Sequence, residues 1–336
     1  MVDIRTLTDV TAAHTCYNAW CTDPSSCARS NGGLQSPLNL VPVAWETVKS
    51  WFFNEDGDRL ALGAYEGDRL VGIVAATVDG VNRHTGYLSY LCVDPAYRGR
   101  GIGSRLLDEM TALLESDPRL EQLEVVFRNP VALPWYIPNG GEDYHPCMPG
   151  VDKASALFLL LKNHGWREFA TQNAYYRRLT GYCSPKGTEA VRERLATDGI
   201  ELTLYDPARH HGLAELFDDI RNPDWKKHVM AQTHLPIVVA VDTKADGLVV
   251  GYTGPLTVTG TPSRGNFHGI GTLNAYRGRG IGKQIFCEMC RRHAEGGADF
   301  MSLYTGEDNP ARLMYEAAGF CIVRSFADMR RVIRKR

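Results

Sequence analysis

The chain lacks any apolar run long enough to cross a bilayer. The longest, 156–161, falls far short of the roughly 20 residues a membrane helix needs. It lacks a surplus of charge as well: 37 Lys and Arg stand against 39 Asp and Glu, a formal net charge of −2. Nothing global therefore draws it to nucleic acid or to an acidic surface. Residues 1–20 hold no signal-type apolar segment, which gives the expectation of a cytoplasmic protein. A disulfide framework is missing too, because nine cysteines form an odd, scattered set that reads as free thiols. Cys16, Cys21 and Cys27 gather near the start, and Cys287 and Cys290 lie one turn apart. Neither group has further ligands at matching spacing, so no metal is expected. Two familiar phosphate motifs are also absent, the Walker loop G-x-x-x-x-G-K-[ST] and the dinucleotide G-x-G-x-x-G.

What the chain does have is one phrase written twice. Tyr97 precedes Arg98-Gly99-Arg100-Gly101-Ile102-Gly103, and Tyr276 precedes Arg277-Gly278-Arg279-Gly280-Ile281-Gly282. Each copy follows an apolar run of strand character (87–93 and 267–273) and opens a helical pattern. The helix faces are Ile102, Leu106, Leu107, Met110 and Ile281, Ile285, Phe286, Met289, in the phase of one buried stripe. Glycines let the backbone approach a ligand closely. The first N–H groups of a helix have no partner within it, and the dipole favours an anion there. Arginines add charge suited to phosphate oxygens. The pattern predicts two cradles for a phosphorylated ligand, most simply a diphosphate. The copies stand about half a chain apart in 336 residues, which points to a tandem duplication into two domains.

Both copies match [RQ]-x-x-G-x-[GA], and so resemble the coenzyme A pyrophosphate motif of the GNAT superfamily of acyl-CoA N-acyltransferases. The order of elements in each half (strand, two helices, meander, strand–turn–helix, strand) is similar to that of the same family. The resemblance implies an α/β fold with a mixed sheet, built as two tandem GNAT domains. Boundaries fall at 1–180 for the first and 200–336 for the second, with a junction at 181–199. Between the motif arginine and the later Gly-aromatic pair, the first half (98 to 165) is about 25 residues longer than the second (277 to 319). That excess is an insertion near 129–152, between the fifth strand and the fourth helix. It either borders the acceptor side of the first cleft or packs against the other domain. His145 and Cys147 within it are read as structural.

The residues 309–320, N-P-A-R-L-M-Y-E-A-A-G-F, resemble the other coenzyme-binding segment of that superfamily, although Asn309 stands one residue closer to the alanine than the pattern has it. The resemblance implies that Asn309 bonds the pantetheine arm and that Tyr315 is the acid which protonates the departing thiolate. An ammonium acceptor must also lose a proton before it can attack. His268 stands where arylalkylamine acetyltransferase-type members carry a catalytic histidine, and imidazole titrates in the right range. Coenzyme contacts are expected from Ile270, Gly271, Thr272, Arg277, Gly278, Arg279, Gly280, Gly282, Lys283 and Asn309. In the first half they are expected from Leu91, Val93, Arg98, Gly99, Arg100, Gly101, Gly103 and Ser104. In register, Leu161 stands at the place of Tyr315, Ser155 at that of Asn309 and Ser89 at that of His268. The second half is therefore expected to be the catalyst, and the first a coenzyme-binding or structural domain. Thr272-Leu273-Asn274 departs from the V-x-P that Val93-Asp94-Pro95 keeps.

The function implied is acetyl-CoA-dependent N-acetyl transfer to a small-molecule amine by direct transfer. Acetyl-CoA is the cosubstrate, with no metal, no nucleic acid and no membrane partner; whether the chain pairs into a homodimer stays open. The rival readings are an acyl-CoA-binding regulatory module without turnover, and an N-acyltransferase using a longer acyl chain or a protein acceptor. An aminoacyl-tRNA-dependent transferase would need neither two pyrophosphate cradles nor this near-neutral charge.

Overall fold

A computed structural model describes residues 2–21, 28–30, 33–35, 40–53, 57–78, 84–127 and 129–333. Cys27, most of 23–42, part of 54–58 and the last three residues lie outside them. The chain forms two compact units. One comprises Met1–Ile137, Tyr144–Gln172 and Arg324–Arg336; the other comprises Pro138–Asp143 and Asn173–Val323. No helix among the described residues is long and apolar enough to cross a membrane.

In the first unit an antiparallel meander runs Val2–Thr6, Arg59–Glu66, Arg69–Val78, Thr85–Val93. Alternation along these strands buries one face under the helix Ile102–Glu115 and the other under Val10–Cys21 and Trp45–Phe52. Thr85–Tyr87 then pairs in parallel with Gln122–Glu124, and there the pairing stops. Opposite the Ala75/Ala76 step the register shifts by one, leaving Ser89 as an extra residue. A bulge bends the strand that carries it, so 88–93 swings away from its neighbour and opens a cleft. The other edge of Gln122–Val125 is covered by chain from the far terminus: Met329–Val332 pairs with it antiparallel.

In the second unit Ile200–Leu204, Val238–Asp242, Leu248–Thr253 and Ile270–Thr272 form an antiparallel sheet. Arg264–Gly265 pairs in parallel with Phe300–Met301 of the strand Phe300–Gly306. The motif strand is three residues long, shorter than the 267–273 read from the sequence. Gly269 ends it, with φ +109° and space for a Cβ closed by the Trp225 ring at 2.9 Å. Both motif helices bury the predicted stripes, with Ile102, Leu106, Leu107 and Met110 on one and Ile281, Ile285, Phe286 and Met289 on the other. Each such side chain contributes about 1.5–3 kcal/mol.

Candidate functional site

The two cradles are built by the same local chemistry. Gly99 and Gly101 have φ of +74° and +76°, and Gly278 and Gly280 have +80° and +90°. In each pair the second glycine is the left-handed N-cap of its helix, Ile102–Glu115 or Ile281–Glu295. The first turns of these helices therefore present unpaired N–H groups, with Ser104 and Lys283 half-exposed beside them. Arg98 donates from Nε to the Val93 carbonyl (3.0 Å), and Arg277 to the Thr272 carbonyl (3.4 Å). Both leave the outer guanidinium nitrogens toward solvent. Arg100 lies over Tyr97 and Arg279 over Tyr276, each 4.8 Å from the ring centre.

Those two tyrosines escaped functional reading in the sequence, although both copies carry them. Tyr97 donates to Glu66 (2.6 Å) and Tyr276 to Asp242 (2.8 Å), so each turn is tied to the preceding hairpin. The departure from V-x-P is offset locally. Asn274 has an N–H that Pro95 lacks, and Asp219 accepts it at 2.7 Å.

Strand register decides which backbone groups remain free. Asp94 N–H bonds the Val71 carbonyl, so Cys92 is spent inside the sheet, while the N–H and C=O groups of Leu91 and Val93 face the open cleft. In the second unit Leu273 bonds Val250, and by the same alternation Ile270 and Thr272 face the unpaired edge. Gly271 lies differently. Its amide turns inward opposite Tyr252, and a Cβ there would meet Ile220 at 2.9 Å. Its glycine serves close packing.

Tyr315 is 4% exposed and sits among Phe286, Phe267 and Tyr175, at ring distances of 4.9, 5.8 and 6.1 Å. Burial first, then Tyr175, pushes its phenol up to about 12, so it keeps its proton throughout the neutral range. His268 is half-buried, with Nε2 3.0 Å from the Thr257 hydroxyl and its ring 5.2 Å from that of His228. Burial, then His228 and Arg264, holds its imidazole below the usual value. It is thus neutral at pH 7. Asn309 is exposed, and its Oδ1 accepts from Ala311 N–H (3.0 Å) at the head of the helix Arg312–Ala317. Its amide nitrogen alone remains for a ligand.

The first unit contains an open groove lined by Leu91, Val93, Arg98, Gly99, Gly101, Gly103 and Ser104 together with Ser155, Leu157 and Leu160. Ser155 caps its helix through Phe158 N–H (3.2 Å), and Leu161 is wholly buried. Among the described residues no group of three His, Cys, Asp or Glu is placed to hold a metal ion.

Comparison with known proteins bears on these cradles. The model of the acetyltransferase (GNAT) family matches residues 28–139 and again 202–320. Over 63 residues, 18% of the chain, it is 41% identical to a mycothiol acetyltransferase of Corynebacterium aurimucosum, and the match spans about a fifth (21%) of that relative. A GCN5-related glucosamine N-acetyltransferase region of a fungal multi-domain GH3 beta-N-acetylglucosaminidase superposes with TM-score 0.61 at 17% identity. That alignment covers 98% of this chain and 38% of the other. A GCN5-related N-acetyltransferase of Sphaerobacter thermophilus gives 0.57 at 16%, covering 99% and 96%. A tandem GNAT protein from the clavulanic acid biosynthesis pathway gives 0.54 at 17%, covering the whole of both chains. Such identities speak to fold alone, but the twofold family match covers well over half the sequence, and this chain belongs to the acetyltransferase (GNAT) family as a tandem member.

Proposed function

We propose that the chain is a cytoplasmic, acetyl-CoA-dependent N-acetyltransferase acting on a small-molecule amine by direct transfer, with the second unit catalytic and the first a coenzyme-binding domain. The observation that carries this reading is the unpaired edge of Ile270–Thr272, which runs into the Gly278–Gly282 cradle within the unit that also holds Tyr315 and His268. The helix end and Arg277 hold the diphosphate, and the open amides of Ile270 and Thr272 hold the pantetheine arm and the thioester oxygen. His268, neutral at working pH, takes a proton from the ammonium so that the amine nitrogen can attack the thioester carbon. As the C–S bond breaks, Tyr315 gives its proton to the sulfur; the second proton shed by the amine nitrogen restores the phenol, and His268 releases the first to solvent.

Thiol release from acetyl-CoA across a panel of amines (aminoglycosides, polyamines, amino-sugar thiols, peptide N-termini) tests this. Tyr315→Phe lowers kcat by about 10²–10⁴-fold with little change in coenzyme binding; unchanged turnover removes the assigned acid. Arg277→Ala abolishes turnover and Arg98→Ala does not. The opposite result would exchange the roles of the two units.

A further inference from the structure

Beyond the cradle, the first unit holds a second space with mostly apolar walls. Its lining shares Leu91, Ser155 and Leu157 with the groove of the cradle, so the two spaces adjoin. Its walls include Leu40, Leu88, Val125, Leu133, Met148 and Val151. The direction of the path follows from the strand. A diphosphate at Gly99–Ser104 sends the pantetheine arm along the free amides of Val93 and Leu91. The thioester then arrives where the bulge at Ser89 opens the sheet, and the apolar space begins there. Past the bulge the space continues beside Leu88 toward Leu133 and Met148, on apolar walls.

The chemistry of the walls selects the occupant. Four polar side chains line the space: the Tyr90 hydroxyl is buried without a hydrogen-bond partner among the described residues, and each of the other three has one within the unit. Ser89 shares a bond with Thr77 (3.1 Å), Ser155 holds the Phe158 amide, and Asp152 accepts from Ala154 N–H (2.9 Å) and faces Arg324 at 3.3 Å. No uncommitted carboxylate is left to receive an ammonium, so an amine acceptor does not fit. An alkyl chain does. Leu133, Met148 and Val151 come from the 129–152 insertion that distinguishes this half from the other.

We propose that the first unit binds a coenzyme A thioester whose acyl chain is longer than acetyl, with the chain seated between the bulged strand and the insertion, and that it holds this thioester without turning it over. The last clause follows from Leu161, Ser155 and Ser89, which supply neither the phenol nor the imidazole of the second unit. The inference rests on the reading of the cradle as a coenzyme site.

Calorimetric titration of the full chain with coenzyme A and its acetyl, butanoyl and hexanoyl thioesters separates the two ideas. Affinity at one site should rise at least about tenfold from acetyl to hexanoyl, as burial of added methylenes requires. Met148→Trp, at a half-exposed wall position, should erase that gain while leaving coenzyme A itself within twofold; Leu133→Phe is the second filling variant. Hexanoyl-CoA should be recovered intact by mass spectrometry in the presence of the amine panel. Binding of coenzyme A with no dependence on chain length, or a gain that survives both filling variants, overturns this inference alone. Hexanoyl transfer or hydrolysis lost in Met148→Trp overturns its non-turnover half. Failure of coenzyme A to bind at all overturns the coenzyme reading beneath it. A crystal of the hexanoyl-CoA complex decides independently, by whether the chain lies between Leu88 and Leu133.

Discussion

Glycine does two different jobs within each six-residue phrase, and substitution separates them. Gly280 serves the backbone conformation of the turn. Its φ is +90°, and a Cβ would stand 3.3 Å from Val191, so Gly280→Ala should cost about 1–2 kcal/mol for the left-handed backbone alone. Gly282 lies in the first helical turn, where a Cβ would make only ordinary contacts, 3.7 Å from both Met314 Sδ and Thr272 Oγ1. Replacing a helical glycine by alanine gains up to about 1 kcal/mol. Gly282→Ala should therefore raise the melting temperature of the free protein while weakening coenzyme A binding about tenfold or more, because the added methyl faces the cradle. Scanning calorimetry and titration read the two effects separately; a variant both more stable and equally tight would remove Gly282 from the site. This division was legible in the sequence only as spacing. Which glycine is conformational and which gives clearance depends on neighbours such as Val191, and those come from distant chain.

Among the elements, the helix Ile281–Glu295 anchors the segment that leads to His268. His293 on it is 2% exposed, donates from Nε2 to the Asn266 carbonyl (3.1 Å), and lies so close to Gly265 that a Cβ there would be 2.7 Å from its ring. Burial holds its pKa down at about 4, against 6.5 for the free side chain; the Asn266 carbonyl pulls the other way and His268 adds to the lowering. A histidine with a depressed folded pKa binds its proton more readily when unfolded. Its contribution is thus fully present above pH 6.5 and is lost as pH falls toward 4, up to about 3 kcal/mol in all. Urea midpoints measured from pH 7 to pH 4.5 should fall steeply in the wild type. They should fall less in His293→Gln, which keeps a donor but does not titrate. The helix was legible from its apolar stripe. That its last turn fixes the strand before the site was not, because Asn266 accepts through its backbone, which no side-chain pattern announces. Ile270 and Thr272 were expected contacts from the resemblance, but that their backbone groups and not those of Gly271 stay unpaired is decided by register; the early end of the motif strand, set by a tryptophan 44 residues upstream of Gly269, was not legible either.

At the level of the whole chain, the repeat was readable from two identical glycine-arginine phrases, but the path of the termini was not. Strand propensity near 321–332 says that a strand forms and nothing about which partner it chooses. Met329–Val332 pairs with Gln122–Val125, and Ala327 and Met329, both fully buried, join the core of Leu107, Met110 and Leu123. The first unit is thus completed by residues beyond the end of the second. A fragment ending at residue 180 should consequently fail to fold, since it exposes the edge of Gln122–Val125 and an open core. Added 321–336 peptide should restore a cooperative transition to that fragment. In the intact chain, Met329→Ala removes a buried side chain and should cost about 2–5 kcal/mol, with the loss centred on the first unit. Hydrogen exchange would place it there: protection should drop along Gln122–Val125 and Thr85–Val93 and persist along Val238–Asp242 and Leu248–Thr253. A fragment 1–180 that unfolds cooperatively without the peptide would show that the last strand is an accessory to the first fold and not a part of it.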